Sequence, residues 1–312
     1  MKNNLLFPAA LILSAAITAP VYAGVNEDLM VAVDNYCQNK NAKELNKINA
    51  LLKKGANPHK PNSQEMTPLE IAIYHHCPEG AKALLVNKVN VNALGSTQSP
   101  PLIAALQSYK DEAADRALVD VLLQAGADVN QMDPNQIEFP LMLATGMRSQ
   151  ISWPHLVSKL LAAGANAKQK TPNNYSPLNT GSPDLESLKA LLQAGADASL
   201  VSKIDGLTPL HNVCDRKSSN IKDRPDPKAA ERIKLLMEHG GNINAVRTDT
   251  AESVLMQNIK YDNPECVEAL LKAGANPKLK TSEGKTVKDE MNTKYNSLYS
   301  PKVIAVLKRY VK

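Results

Sequence analysis

The chain is dominated by a short phrase that recurs along its length and looks like the end of a helix. It reads LLQAGADVN at 122–130 and LLKAGANP at 270–277. A leucine pair is typical of the buried side of a helix, and a glycine just beyond it takes the left-handed conformation that ends the helix. Asn or Asp then favours a turn. Variants of the phrase begin at residues 51, 160, 191 and 236. The same helix ending is therefore repeated at least six times.

A second motif, typical of a helix start, precedes most of these endings. It is clearest as TPLEIA at 67–72 and TPLHNV at 208–213. The Thr hydroxyl can accept a hydrogen bond from an unpaired backbone N–H, and the following Pro has no N–H to satisfy. The related segments are PPLIAA (100–105), FPLMLA (139–144), SPLNTG (176–181) and SVLMQN (253–258). Their leucines are separated by 33, 39, 37, 32 and 45 residues, which indicates a basic period near 33.

Two motifs in phase at this period, with the pattern T-P-L-H-x-A, resemble the ankyrin repeat. The resemblance covers nearly all of the chain after residue 24 and implies an all-α solenoid, in which each two-helix unit exposes an apolar face that only a neighbour can bury. We expect one domain over 24–312, built of eight units that include an N-terminal and a C-terminal cap. The expected units lie near 25–58, 65–97, 98–136, 137–173, 174–205, 206–250, 251–283 and 284–312.

The array is irregular in several places. Unit four is extended over 145–155, where the only Trp lies, and unit six carries a charged insertion at 215–229. Such insertions either carry partner contacts or reflect neutral drift in exposed loops, and the sequence leaves both readings open. Unit five is shortened, with room for barely two turns in its first helix. In unit two we expect Asn87 to take the left-handed position that glycine occupies elsewhere.

The first 23 residues have the organisation of a secretory signal peptide. Lys2 is followed by an apolar run over Leu5–Ile17 and by Val21-Tyr22-Ala23, a small-residue cleavage signal. The apolar run is too short to span a membrane; the alternative is a buried N-terminal helix. We expect an exported, soluble, periplasmic protein without a lipid anchor, whose net charge falls from +5 to +4 because Lys2 is removed.

The four cysteines are candidates for disulfides, because an exported protein meets an oxidising compartment. Adjacent units of packed helices lie about 8–10 Å apart, so cysteines several units apart cannot meet. The remaining pairs are Cys37–Cys77 and Cys214–Cys266, with free buried thiols as the alternative. The segment HHC at 75–77 does not predict a metal site, because adjacent helical side chains diverge and no second ligand cluster accompanies it.

Neither nucleic-acid binding nor catalysis is indicated by the sequence. The 36 basic and 31 acidic residues are mixed along the chain, without a dense basic block. We find no P-loop, dinucleotide-binding glycine pattern, nucleophile elbow or zinc-protease helix, and we expect no enzyme activity and no cofactor. His211, at the TPLH position, is expected to hydrogen-bond backbone between units.

The resemblance implies a protein partner, bound on the concave face formed by the first helices and the connecting fingers. Tyr, Trp and Arg are the usual anchors of interfaces. For Trp153 a packing role is favoured over that of an anchor. The residues expected on the first-helix side are Tyr74, His75, Gln107, Tyr109, Met147, Arg148, Trp153, Arg216, Lys260 and Tyr261. Those expected at the fingers are Glu65, Asn135, Glu138, Phe139, Asn174 and Tyr175.

Among ankyrin-repeat proteins, the chain is similar to the exported type of Gram-negative bacteria, which includes periplasmic immunity proteins. These neutralise toxic effectors, such as type VI secretion phospholipases, by covering the active site. The resemblance therefore implies a monomer that plugs a co-encoded toxin or enzyme. A periplasmic scaffold or stress-protection protein, and a protein secreted towards host targets, are the alternatives.

Overall fold

The computed structural model describes residues 24–95, 98–110, 112–146, 152–179, 183–214, 226–291 and 299–311. Within these residues the regular structure is helical, apart from one isolated bridge between Val246 and Ser253. The helices are α1 Val25–Asn39, α2 Ala42–Lys53, α3 Pro68–Tyr74, α4 Pro78–Leu85, α5 Pro101–Gln107, α6 Ala113–Gln124, α7 Pro140–Ala144, α8 Pro154–Ala162, α9 Leu185–Gln193, a 3-10 helix Pro209–Asn212, α10 Ala229–Glu238, α11 Val254–Ile259, α12 Pro264–Lys272, α13 Val287–Glu290 and α14 Pro301–Tyr310.

The helices form two layers of a solenoid. In one layer the first helices of successive units pack together, α1 on α3, α3 on α5 and α5 on α7, and the 3-10 helix packs on α11. In the other layer the second helices do the same, α2 on α4 and α4 on α6, then α8, α9, α10, α12 and α14 in order. One continuous apolar core runs between the layers through all units. The expected all-α ankyrin-repeat solenoid is confirmed.

Several first helices begin at a reciprocal cap, which the Thr of the TPL motif supplies in α3. In α3 the Thr67 hydroxyl accepts from the Glu70 N–H at 3.3 Å, and the Glu70 carboxylate accepts from the Thr67 N–H at 2.7 Å. Two orphan donors of the helix end are thereby satisfied together. The residue three positions after the Thr or Ser bonds back to it in other units too, in the pairs Ser176–Asn179, Thr208–His211 and Thr286–Asp289.

The second helices end at the recurring glycine, and an asparagine then ties the units together. Gly126 has φ +85°, and the next N–H, that of Ala127, bonds back to the Leu122 carbonyl at 3.0 Å. Asn92 of the preceding unit accepts from the Asp128 N–H at 2.8 Å and donates to the Gly126 carbonyl at 3.1 Å. Asn92, Asn130 and Asn244 each link their unit to the next in this way.

Three local expectations need correction. The left-handed residue of unit two is Lys88, with φ +62°, because it and not Asn87 stands at the fifth place of the leucine-pair phrase. In unit five the described residues after Ser176 form a turn rather than a helix, up to Asn179. In unit six the first helix is a single 3-10 segment.

Both of the remaining cysteine pairings form disulfides. The Cα atoms of Cys37 and Cys77 lie 5.4 Å apart, and those of Cys214 and Cys266 lie 5.7 Å apart. The first bridge joins units one and two, and the second joins units six and seven.

No helix among the described residues combines the length and the apolarity that a membrane crossing needs. The predicted signal peptide, 1–23, lies outside the described residues.

Candidate protein-binding face

The outer surface of the first-helix layer consists of the side chains that do not pack into the core. We call it the first-helix face. Tyr74 and Gln107 are the last residues of α3 and α5, at the same place in successive units. Tyr74 is 51% exposed. The other members of this face that are partly or fully exposed are His75, Ala104, Ser108, Asn212, Gln257, Lys260 and Tyr261.

At the N-terminal end of this face, His75 is held by an acidic partner from unit one. Its Nε2 lies 2.8 Å from the Asp34 carboxylate, which also accepts from the Gln38 amide at 3.0 Å. The Tyr74 ring meets the His75 ring edge-on, with centroids 5.2 Å apart. His75 is therefore fixed in place and supports the exposed ring of Tyr74.

In the next unit, Gln107 reaches across to the finger that follows. Its amide donates to the Glu138 carboxylate at 2.9 Å. Glu138 itself is only 3% exposed, so its predicted role as a finger contact is wrong and it acts as an internal acceptor. Its burial follows from Asp133, whose carboxylate accepts from the Glu138 N–H at 2.6 Å and folds the finger back.

Three further residues predicted as contacts are core residues instead. Tyr109, Phe139 and Trp153 are 4%, 0% and 7% exposed. The rings of Tyr109 and Trp153 pack edge to face at 4.9 Å, and the Tyr109 hydroxyl bonds to His155 Nε2 at 2.9 Å. Because they fill the space between units three and four, they support the surface without forming it. The favoured packing role of Trp153 is confirmed.

At the C-terminal end of the face, uncharged side chains form a ladder across three units. The Tyr261 hydroxyl donates to Asn212 Oδ1 at 2.9 Å, and the Asn212 amide donates to the Asn179 carbonyl at 3.2 Å. Gln257 donates to the Tyr261 hydroxyl at 3.3 Å. Lys260 pairs with Glu252 at 2.6 Å. Lys260 and Tyr261, both predicted contacts of unit seven, thus lie together just after α11.

The fingers of units four to six are joined by polar contacts. The Tyr175 hydroxyl donates to the Asp205 carboxylate at 3.1 Å, and burial raises the pKa of Tyr175 above its usual value. Arg247 holds Asp249 through two hydrogen bonds of 2.9 and 2.6 Å. This guanidinium lowers the pKa of Asp249 far below its ordinary range. Hydrogen bonds and ion pairs between finger residues therefore hold this surface in place.

The finger tips share one unusual backbone feature. Glu65 and Asn174, both predicted contacts, have φ of +64° and +61°. Gln98 and Gln136 occupy the same turn at +54° and +56°, whereas Gly206 and Gly284 stand there at the starts of units six and eight. Asn135, the remaining predicted tip residue, is exposed. A left-handed residue other than glycine is strained, so these side chains are retained at a cost in stability.

Of the predicted contacts, three lie outside the described residues: Met147, Arg148 and Arg216.

The charged insertion that contains Arg216 is followed by a buried ion pair at the start of α10. Arg232 and Asp226 are joined by hydrogen bonds of 3.1 and 2.6 Å, and Arg232 also donates to the Val213 carbonyl at 3.1 Å. The two ends of the insertion are thereby held together.

His211 lies inside the solenoid. Its Nδ1 is within 2.9 Å of the Thr208 hydroxyl and accepts from the Thr208 N–H at 3.1 Å, so the proton is on Nε2. Burial lowers the pKa of His211 to about 4, and interaction with the Glu252 backbone only partly opposes this. Nε2 makes no hydrogen bond of normal geometry among the described residues, and its interaction with the Glu252 backbone of the next unit is a weaker form of the expected contact between units.

The opposite layer offers one open groove of about 600 Å³ between α10 and α12. Its floor is Ala230, Met237 and Ala269, and its rim includes the ion pair of Lys234 with Glu238. No group of three His, Cys, Asp or Glu residues within the described ranges is placed to hold a metal ion.

Comparisons with known proteins agree with this architecture. A family model described as ankyrin repeats (3 copies) matches residues 29–133 and 179–281, more than half of the chain. The ankyrin repeat domain-containing protein M-T5 of Myxoma virus is 25% identical over 182 residues, which are 56% of this chain and 35% of that protein. The human ankyrin repeat and SOCS box protein 6 is 31% identical over 42% of this chain and 30% of its own length.

A solved structure also shares the fold. The crystal structure of an ankyrin repeat domain from Acinetobacter baumannii AYE superimposes with a TM-score of 0.52 at 23% identity. The match covers 69% of this chain and 98% of that domain. The chain spans about a third of the length of the two curated relatives named above. These likenesses concern the repeat architecture, which the chain shares across most of its length.

Proposed function

Since this chain belongs to the ankyrin-repeat family, we propose that it is an exported immunity protein, which inhibits a toxic effector by occupying the effector's active-site entrance. The family match supports a protein-binding repeat module. The proposed immunity role is supported by the resemblance of the sequence to exported bacterial immunity proteins. Periplasmic localisation, with cleavage near Gly24, is part of the same proposal.

The two disulfides are the observation that supports export most directly. Each joins adjacent units, with Cα distances of 5.4 and 5.7 Å. Disulfides persist in the periplasm and outside the cell, whereas cytosolic thiols are kept reduced. Units one and two, and units six and seven, are cross-linked in this way, which stiffens the stack before a partner arrives. A preorganised surface loses less entropy on binding, as occlusion of an enzyme requires.

The first-helix face is the surface proposed to plug the effector. Its exposed groups include the rings of Tyr74 and Tyr261, several amides and one lysine, in units two, three, six and seven. The revised contact set retains Tyr74, His75, Gln107, Tyr175, Lys260 and Tyr261, all partly or fully exposed. It omits the buried Tyr109, Glu138, Phe139 and Trp153.

The test is rescue from toxicity. The product of the neighbouring gene is directed to the periplasm of a test strain, with this protein, with Tyr74→Ala, or with Lys82→Ala on the opposite layer as the matched control. We expect rescue by the natural chain and by Lys82→Ala, and weaker rescue by Tyr74→Ala. A scaffold would form the complex and leave the toxicity unchanged, which would end the immunity proposal.

A further inference from the structure

The second helix of unit one, α2, exposes charge of a single sign. Lys43, Lys47 and Lys53 lie within α2, Lys54 caps its C-terminal end, and all four are exposed. The one acidic residue of the helix, Glu44, is only partly exposed, and one of its carboxylate oxygens is buried. The exposed side of α2 is therefore basic, and we call its four lysines the basic stripe.

Three lysines of the basic stripe stand in a straight row along the helix. Because an α-helix turns by about 100° per residue, Lys47 and Lys54 lie about 40° and 20° around the axis from Lys43. At a rise of about 1.5 Å per residue, the row is about 16 Å long. Asn46 and Ala50, which lie on the same side of the helix, are exposed and uncharged. A flat anionic surface can therefore approach all three charges at once.

The lysines of the basic stripe are not used inside the protein. Among the described residues none of them forms an ion pair or a side-chain hydrogen bond. Later second helices hold lysines in ion pairs, which are Lys159–Asp120, Lys189–Glu231, Lys234–Glu238 and Lys272–Glu268.

Unpaired lysines outside the basic stripe are more scattered. Lys60, Lys110 and Lys170 lie one by one in loops. Lys302 and Lys308 share α14, but their spacing puts them about 120° apart around its axis. Neither arrangement presents several charges to one plane, as the basic stripe does.

The other helix of unit one has the opposite sign. α1 carries Glu27, Asp28 and Asp34 and no lysine or arginine. It belongs to the first-helix layer, whereas α2 belongs to the second-helix layer. A negative surface would therefore attract the α2 side of unit one and repel the α1 side. In that orientation the first-helix face points away from the surface.

We infer that the basic stripe binds the surface of a bilayer that contains anionic phospholipids, with the first-helix face directed away from the membrane. A lysine near such a surface is attracted by its negative potential, and clusters of four or more are typical of anionic-lipid recognition. The stripe consists of lysines alone, which are point charges suited to mobile headgroups, whereas arginine suits fixed bidentate contacts with carboxylates. α2 also has no aromatic residue on which a base of single-stranded nucleic acid could stack.

This inference rests on the proposed export, because a periplasmic protein lies between two bilayers. It adds an orientation to the proposed function, since a protein held in this way keeps its partner-binding face available to an effector that acts at the membrane. Its test needs no effector, so the immunity proposal and this inference can fail independently.

Sedimentation with vesicles is the measurement. The purified protein is mixed with vesicles of phosphatidylcholine alone, or with about 40% phosphatidylglycerol. We expect partitioning onto the phosphatidylglycerol vesicles at about 20 mM NaCl, and at least tenfold less at about 500 mM, because salt screens exposed charges. Equal binding to neutral vesicles, or no binding to anionic ones, would overturn the inference.

Ala50→Glu changes the charge of the stripe without removing a lysine. A carboxylate at position 50 stands three and four residues before Lys53 and Lys54, where it pairs with them and supports the helix. We expect at least tenfold weaker partitioning with unchanged thermal unfolding, whereas the matched variant Ala50→Gln should stay within twofold of the natural chain. Equal effects of the two variants would contradict the inference.

Removal of lysines gives a second measurement. Lys43→Ala combined with Lys47→Ala should weaken partitioning about fivefold for each lysine, and alanine keeps the helix intact. The matched control, Lys278→Ala with Lys280→Ala, removes the same charge from the exposed loop after α12 and should change partitioning less than twofold. Equal losses from both pairs would mean that net charge, and not the stripe, causes binding.

Two other anionic partners are compared at the lower salt concentration. Labelled polyglutamate and a labelled single-stranded oligonucleotide are titrated with the protein, and their anisotropy is followed. Binding of either that depends on the stripe lysines, without binding to anionic vesicles, would overturn the assignment to a bilayer.

Discussion

Gly80 lies against the sulfur of Cys37. A Cβ at position 80 would stand 2.8 Å from that Sγ and 2.9 Å from the Sγ of Cys77. Glycine inside a helix such as α4 lowers stability by about 0.5–1 kcal/mol relative to alanine. We attribute its presence at position 80 to the space that the two disulfide sulfurs need. We predict that Gly80→Ala prevents closure of this bridge and lowers the free energy of unfolding by about 2–4 kcal/mol.

Thiol titration under denaturing conditions and urea unfolding measure both effects. The matched control is Gly80→Ala in a Cys37→Ala, Cys77→Ala background. Without sulfur atoms to meet, the alanine should raise the free energy of unfolding by about 0.5–1 kcal/mol. An equal loss of stability in both backgrounds would show that something other than the disulfide requires the glycine.

The tip of the unit-three finger should be more stable with glycine. Gln136 has φ +56° at the turn position that Gly206 fills at +70° two fingers further along the chain. We predict that Gln136→Gly raises the free energy of unfolding by about 1 kcal/mol, because the left-handed conformation costs other residues about 1–2 kcal/mol. Urea unfolding is the measurement. The reverse change, Gly206→Ala, should destabilise, since its Cβ would lie 2.4 Å from the Thr248 nitrogen.

His211 should make the fold sensitive to acid. Its folded-state pKa is about 4, below the unfolded value of roughly 6.5. The unfolded chain therefore takes up the proton first, so the contribution is fully present above about pH 6.5 and is lost as the pH falls towards 4. We predict a loss of about 3 kcal/mol over this window, measured by urea unfolding at several pH values. His211→Gln should flatten the profile; an unchanged slope would mean that other groups cause it.

Much of the fold follows from short-range patterns, whereas the binding face depends on residues far apart in sequence. The leucine pair, the glycine and the Thr-Pro start each act within one unit, so repetition alone indicates the solenoid. The spacing of the cysteines narrowed the possible pairings to two, with free thiols as the alternative, and the structure forms both disulfides. Lys88 was missed only because the phrase was misaligned by one residue.

The candidate site was harder, because its side chains are positioned by other units. Asp34 holds His75 from 41 residues away, and Asn212 meets Tyr261 from 49 residues away. No local signal marks Tyr109 and Trp153 as core residues, since an aromatic residue after a first helix suits a surface anchor equally well. Only the packing of adjacent units decides between these two roles.

The buried pair of Asp226 and Arg232 closes the insertion of unit six and should be costly to break. Their side chains are 3% and 9% exposed, and Asn263 adds a hydrogen bond to Asp226 at 3.3 Å. Arg232→Met leaves an uncompensated buried carboxylate and should lower the free energy of unfolding by about 3–5 kcal/mol. The double variant Arg232→Met, Asp226→Leu removes both charges and should lose less than the sum of the single changes, as a urea-based double-mutant cycle would measure. Strict additivity would contradict the proposed coupling of the pair.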